Sequence, residues 1–128
     1  MKTFFTAIIA SAVLAGIAAA GTVNFSNFTS TIEIQASGTP ISGGFVSVGT
    51  GSGVDFSDPA AAQTALAANF SQFGDATDFG GEAAFNLNGF FSGVASGDGG
   101  SADFSGKPIW IVGGDGTGIA DSAHLFVI

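Results

Sequence analysis

Cysteine and tyrosine are both absent from the 128 residues, and only Lys2 and Lys107 carry positive charge. Each absence excludes something. Without cysteine there is no disulfide framework, no thiolate nucleophile and no lipoprotein-type anchor. Two lysines cannot displace counterions from a polyanion, so nucleic acid is excluded as a partner, and adhesion to anionic lipid is disfavoured on the same ground. The single histidine, His124, cannot by itself build a zinc site. Charged residues make up only 9 % of the chain while apolar residues make up 46 %, the opposite of a disordered composition.

What is present begins with MKTFFTAIIASAVLAGIAAAG. Lys2 supplies a positive start, Phe4 to Ile17 an apolar stretch, and Ala18-Ala19-Ala20 a small-residue cleavage site before Gly21. This is the pattern of a Sec signal peptide. The expectation is therefore a signal peptide at 1–20, export to the cell surface or medium, and a single β-rich domain over 21–128. Beyond the leader, Lys107 stands alone against ten carboxylates. No membrane association is expected after cleavage. Twelve of the fourteen phenylalanines also lie beyond the leader, and they offer large burial per residue to a small core.

Apolar residues alternate at Val23 and Phe25, then at Ile32 and Ile34, which predicts a strand on each side of a short break. SGTP at 37–40 reads as a turn, and Phe45 to Val48 as a third strand closed by GTGSG at 49–53. Asp58 before Pro59 reads as an N-cap with proline at the first helical position. Ala62, Leu66, Phe70 and Phe73 then form one stripe, which predicts an amphipathic helix over about 59–72 with Gly74 as its stop. AAFNLNGFF predicts a further strand with Phe85 and Leu87 on one side, and Gly93 to Ser105 reads as a loop or poorly paired connection. PIWIV and LFVI read as two central strands. The fold class expected is mainly β, a small antiparallel sheet or sandwich with one helix. LFVI closes the chain without a polar residue behind it, which points to a C-terminal truncation or a strand that needs a partner chain, against a simple buried last strand.

GGDGTG at 113–118 invites a ligand, and position by position it declines one. A dinucleotide fingerprint needs a third glycine where Ile119 stands, and a phosphate loop needs a closing lysine, whereas Lys107 precedes the strand. A calcium nonapeptide needs aspartate where Gly118 stands, and only one copy is present. The loop therefore reads as a glycine-dependent turn. Calcium is the one cofactor the acids leave open, with Asp98, Asp103 and Asp115 as candidate ligands and Asp75, Asp78 and Glu82 as a second cluster. Solvated loop acids are the commoner reading of such residues. No G-x-S-x-G surrounds any serine, and His124 reads as a strand residue rather than a base. Asn24, Asn27 and Asn69 each fit an N-glycosylation sequon with phenylalanine in the middle, which reads as packing pattern. Trp110, Phe90 and Phe91 are candidates for a sugar platform, against a core role for Trp110.

Several segments together resemble small exported bacterial proteins of the PEP-CTERM, exosortase-sorted type, as found in Verrucomicrobia and Planctomycetes. They are GTVNFSNFTSTI after the leader, SGTPISGGFVSVG, ALAANFSQFG, GFFSGVASGDGGSADFSGKPIWIVGGDG and ADSAHLFVI. The resemblance covers nearly all of the mature chain, in diffuse patterns and without a catalytic signature. It implies delivery to the envelope or extracellular matrix by an exosortase, and it brings no catalytic residues with it. The tail that defines such proteins, Pro-Glu-Pro with a membrane span and a basic cluster, is not in these residues. The function expected is that of an exported, non-enzymatic surface or matrix protein with a structural or interaction role. Its expected partners are the export machinery, other copies of itself, or envelope polysaccharide. The rival reading is a secreted module that binds glycan or calcium.

Overall fold

The computed structural model describes residues 20–28, 33–98 and 104–128. Residues 1–19 of the expected signal peptide, the expected strand residue Ile32 and the calcium candidate Asp103 fall outside them. The described chain is mainly β, with small antiparallel sheets, one helix and no closed barrel. Strand β1 (Ala20–Ser26) pairs along its whole length with β7 (Ser92–Asp98), so that Phe25 faces Gly93 and Val23 faces Ala95. Strands β2 (Gln35–Ala36) and β3 (Thr39–Pro40) form a separate short hairpin.

The main sheet is built around β4 (Gly43–Thr50), whose one edge takes β8 (Trp110–Gly114), followed by β9 (Leu125–Val127). Its other edge is shared. Strand β5 (Ser71–Gln72) pairs with Gly49 and Thr50, and β6 (Thr77–Phe79) pairs with Gly43 and Val46. The register shifts between Gly43 and Val46, where Gly43 and Gly44 both take positive φ. Such a bulge needs residues without a Cβ.

Alternation along β4 feeds two cores. Val46 and Val48 join Phe25, Phe73, Phe79, Phe91 and Ala95 beneath the β1–β7 sheet. Phe45 joins Val112 and Leu66 on the opposite side, beneath helix α1 (Pro59–Asn69). Strand β9 divides in the same way, with Phe126 on the first core and Leu125 and Val127 on the second. The result is three layers: a two-stranded sheet, the main sheet and the helix. Phe91 is the hub of the first core. Its ring lies 5.7 Å from that of Phe79, 6.1 Å from that of Phe126 and 6.2 Å from that of Phe25.

The helix starts as the sequence predicts, with Asp58 accepting from the backbone N–H groups of Ala60 and Ala61. It ends earlier than predicted, at Asn69. Phe70 is already extended, and Phe73, instead of completing the helical stripe, donates its N–H to the carbonyl of Val48 and enters the other core. Pairing of β5 with β4 ends the helix, and Gly74 is not its stop.

Three further expectations are corrected. AAFNLNGFF forms no strand: Glu82–Ala84 make a single 3-10 turn, and Phe85 and Asn86 both take left-handed backbone angles, φ 54° and 58°. Gly93 to Asp98 is not a loop but most of β7. Its core-facing positions are small because neighbouring rings occupy the space. A Cβ on Gly93 would collide with the ring of Phe25, and one on Gly97 would press on that of Phe73. Lastly, β8 is an interior strand while β9 is the end strand of the sheet path.

Candidate functional site

The loop between β8 and β9 is densely hydrogen-bonded, and its bonds turn inward. Asp121 accepts from the N–H of Thr117 at 3.0 Å, from its hydroxyl at 2.6 Å and from the N–H of Gly118 at 2.7 Å. Those bonds, from Thr117 first, hold the Asp121 carboxyl below the usual carboxylate range. Ser122 accepts from the N–H of Gly116 and donates to the carbonyl of Gly118. From α1, the Gln63 amide donates to the carbonyls of Ile119 and Ser122, both at 2.8 Å. Gly113 and Gly114 belong to β8 and are needed for close approach rather than for a turn. A Cβ on Gly113 would strike the Phe126 ring, and one on Gly114 the Ser122 hydroxyl.

Asp115 begins this loop and His124 ends it. The Asp115 carboxylate accepts from the His124 backbone N–H at 2.9 Å and lies 2.7 Å from the ring Nδ1. These two contacts, the backbone one first, hold the carboxyl below its ordinary range. On the far side of the ring, Nε2 lies 3.1 Å from the Ser37 hydroxyl. Ser37 stands at the tip of the β2–β3 hairpin with φ 51°, followed by Gly38 at φ 81°. Positive φ at both central residues is the arrangement that joins two strands most tightly. Serine, histidine and aspartate, far apart in the chain, thus form one continuous row. All three are accessible: the His124 side chain is 48 % exposed and that of Asp115 26 %. Nothing in the sequence around Ser37 signalled this, because the partners are 87 and 78 residues away and no local motif joins them.

A second feature is aromatic. The Phe28 ring stacks on Phe90 with centroids 5.4 Å apart, and Phe85 meets Phe28 edge-on at 5.6 Å. Phe85 is 75 % exposed, and Leu87 beside it is also exposed. The sugar-platform candidates divide accordingly. Phe90 is half-buried beneath Phe28 in this group, Phe91 is buried in the first core, and Trp110 packs in the second core with Phe56 near it at 6.1 Å.

Of the first set of calcium candidates, only Asp98 and Asp115 lie among the described residues. Asp98 closes β7, and Asp115 is engaged by His124. Among the described residues no three His, Asp or Glu side chains gather at metal-binding spacing, and no helix is long and apolar enough to cross a membrane. Asn27 is buried, and its amide donates to the Gly89 carbonyl while its oxygen accepts from the N–H of Phe91, so its sequon is committed to packing. No protein-family model matches the chain, and no curated protein or solved structure is significantly similar to it.

Proposed function

We propose that the chain is an exported surface or matrix protein that acts by contact, and that the contact is made through the face of Phe28, Phe85 and Phe90. The observation that carries this reading is the exposure of Phe85 on two successive left-handed residues. Neither Phe85 nor Asn86 is a glycine, and each such residue costs about 1–3 kcal/mol. The Phe85 ring meets Phe28 edge-on and is otherwise largely in solvent. Strain that holds an apolar ring out to water fits a surface made to be covered.

The occupant this face suits is envelope or matrix polysaccharide. Aromatic faces meet the apolar faces of sugar rings, and the exposed side chains of Asn86 and Asn88 offer amide donors and acceptors beside them. With one lysine beyond the leader against ten acids, the protein would repel an anionic polymer, so the polysaccharide is a neutral or cationic one. Export by the Sec route, and sorting by an exosortase-type system, are supported by the leader and by the body resemblance.

The test is co-sedimentation of the purified mature chain with insoluble neutral glucan and with chitin. Binding is expected to fall at least about tenfold in Phe85→Ala, which removes an exposed ring worth about 1.4 kcal/mol or more of contact. Asn86→Gly, which relieves a strained residue, should raise the melting temperature while leaving the rings in place. Concentration-dependent dimerisation with no sedimentation would reassign the face to self-association. Equal sedimentation of the wild-type protein and Phe85→Ala would overturn the reading.

A further inference from the structure

From the row Ser37–His124–Asp115 we infer an acyl-transfer site in which Ser37 is the nucleophile, His124 the base and Asp115 the residue that orients the base. The substrate class is an acyl ester presented on an exposed surface. This inference is independent of the contact face proposed above, and neither depends on the other.

The geometry supplies the two contacts such chemistry needs: nucleophile to base at 3.1 Å and base to orienting acid at 2.7 Å. The tautomer follows from the bonding. An ionised Asp115 can only accept, so Nδ1 carries the ring proton and donates it. Nε2 is then the bare nitrogen, and the Ser37 hydroxyl donates to it. The backbone N–H of His124 also bonds Asp115, which fixes the carboxylate against both the ring and the chain that carries it. Exposed polar contacts of this kind add little to stability, so stability alone gives such a row small reason to exist.

Access is open. Ser37 sits on a hairpin tip, and a Cβ built on the adjoining Gly38 would meet no atom within 4 Å. Three clefts elsewhere among the described residues, of about 180, 350 and 450 Å³, are lined by other side chains. A site of this shape cannot enclose a small free substrate, but it can reach an ester that projects from a larger surface. In the reaction, Ser37 Oγ bonds to the ester carbonyl carbon while its proton passes to His124 Nε2. The bond from that carbon to the alkoxy oxygen breaks, and the alcohol leaves with the proton from Nε2. Water then attacks the acyl-serine, gives a proton to Nε2, and releases the carboxylic acid as Ser37 recovers its hydrogen.

Labelling of the mature chain with a fluorophosphonate tests this directly. The Ser37 oxygen would bond phosphorus, fluoride would leave, and peptide mapping would place the adduct. Stoichiometric labelling at Ser37, with none at the exposed Ser105, is the expected result, and a Ser105→Ala variant should label as the wild type does. His124→Gln should slow labelling about 100-fold, the lower end of what a positioned base contributes. Asp115→Asn, which removes the acceptor that orients the ring, should also slow it. Circular dichroism of each variant reports whether the fold survives. Absence of a Ser37 adduct on the folded wild-type protein would overturn the inference whatever the variants do. So would labelling at Ser37 that is no faster than at Ser105.

Discussion

Asp121 is the residue whose surroundings say most about how this chain answers acid. Three donors converge on it, and its carboxyl is held below the ordinary value. Asp115 and Asp55 are lowered in the same direction, the first by His124 and the second by the N–H of Ser57. A group whose pKa is depressed by folding stabilises the folded state above its unfolded pKa, near 3.9 for aspartate, and loses that contribution as pH falls through the folded value. Stability should therefore be flat through neutral pH and fall below about pH 4. Denaturant melts at pH 6 and pH 3 check this, and Asp121→Asn should narrow the gap between them. A gap unchanged by Asp121→Asn would show that the three donors do not discriminate between the two protonation states.

At the scale of the element, α1 shows a start written locally and an end written elsewhere. Asp58 caps the first turn and Pro59 follows it, so Asp58→Ala should cost about 1 kcal/mol in chemical denaturation. An unchanged midpoint would mean that packing of Leu66 alone sets the helix. The end belongs to the sheet. Phe70 and Phe73 continue the helical spacing, yet Ser71 and Gln72 pair with β4, and Phe73 is delivered to the opposite core. Period counting cannot see a hydrogen-bond partner that lies more than twenty residues earlier in the chain. The reverse error occurs at β7. Gly, Ala and Ser look like a loop when taken alone, but Gly93 and Gly97 are the spaces into which the rings of Phe25 and Phe73 fit. AAFNLNGFF alternates like a strand, but its first residues close a 3-10 turn and Phe85 and Asn86 then take left-handed angles.

The molecule as a whole rests on the main sheet with a different core on each face. Phe91 touches three other rings from its place just before β7, so it joins the two-stranded layer to the main sheet. Phe91→Ala should cost about 3–5 kcal/mol, the usual loss for a buried ring. Such a loss is a large part of the stability of a domain this size. Hydrogen exchange should show the effect first in β1 and β7, which depend on that core, and later beneath α1. Uniform loss of protection would instead mean that the layers unfold as one unit.

Local chemistry and residue counting were enough for the fold class, the capped start of the helix and the strands β1, β4 and β8. Those features depend on residue type, on period-two spacing and on neighbours a few positions away. The tertiary structure alone decided the early end of α1, the pairing of β7, the exposure of Phe85 and the row Ser37–His124–Asp115. Each of these depends on which distant residues share a space. Serine at a hairpin tip and histidine before a terminal strand carry no mark of one another. Only the folding of the β2–β3 hairpin beside the β8–β9 loop sets them 3.1 Å apart.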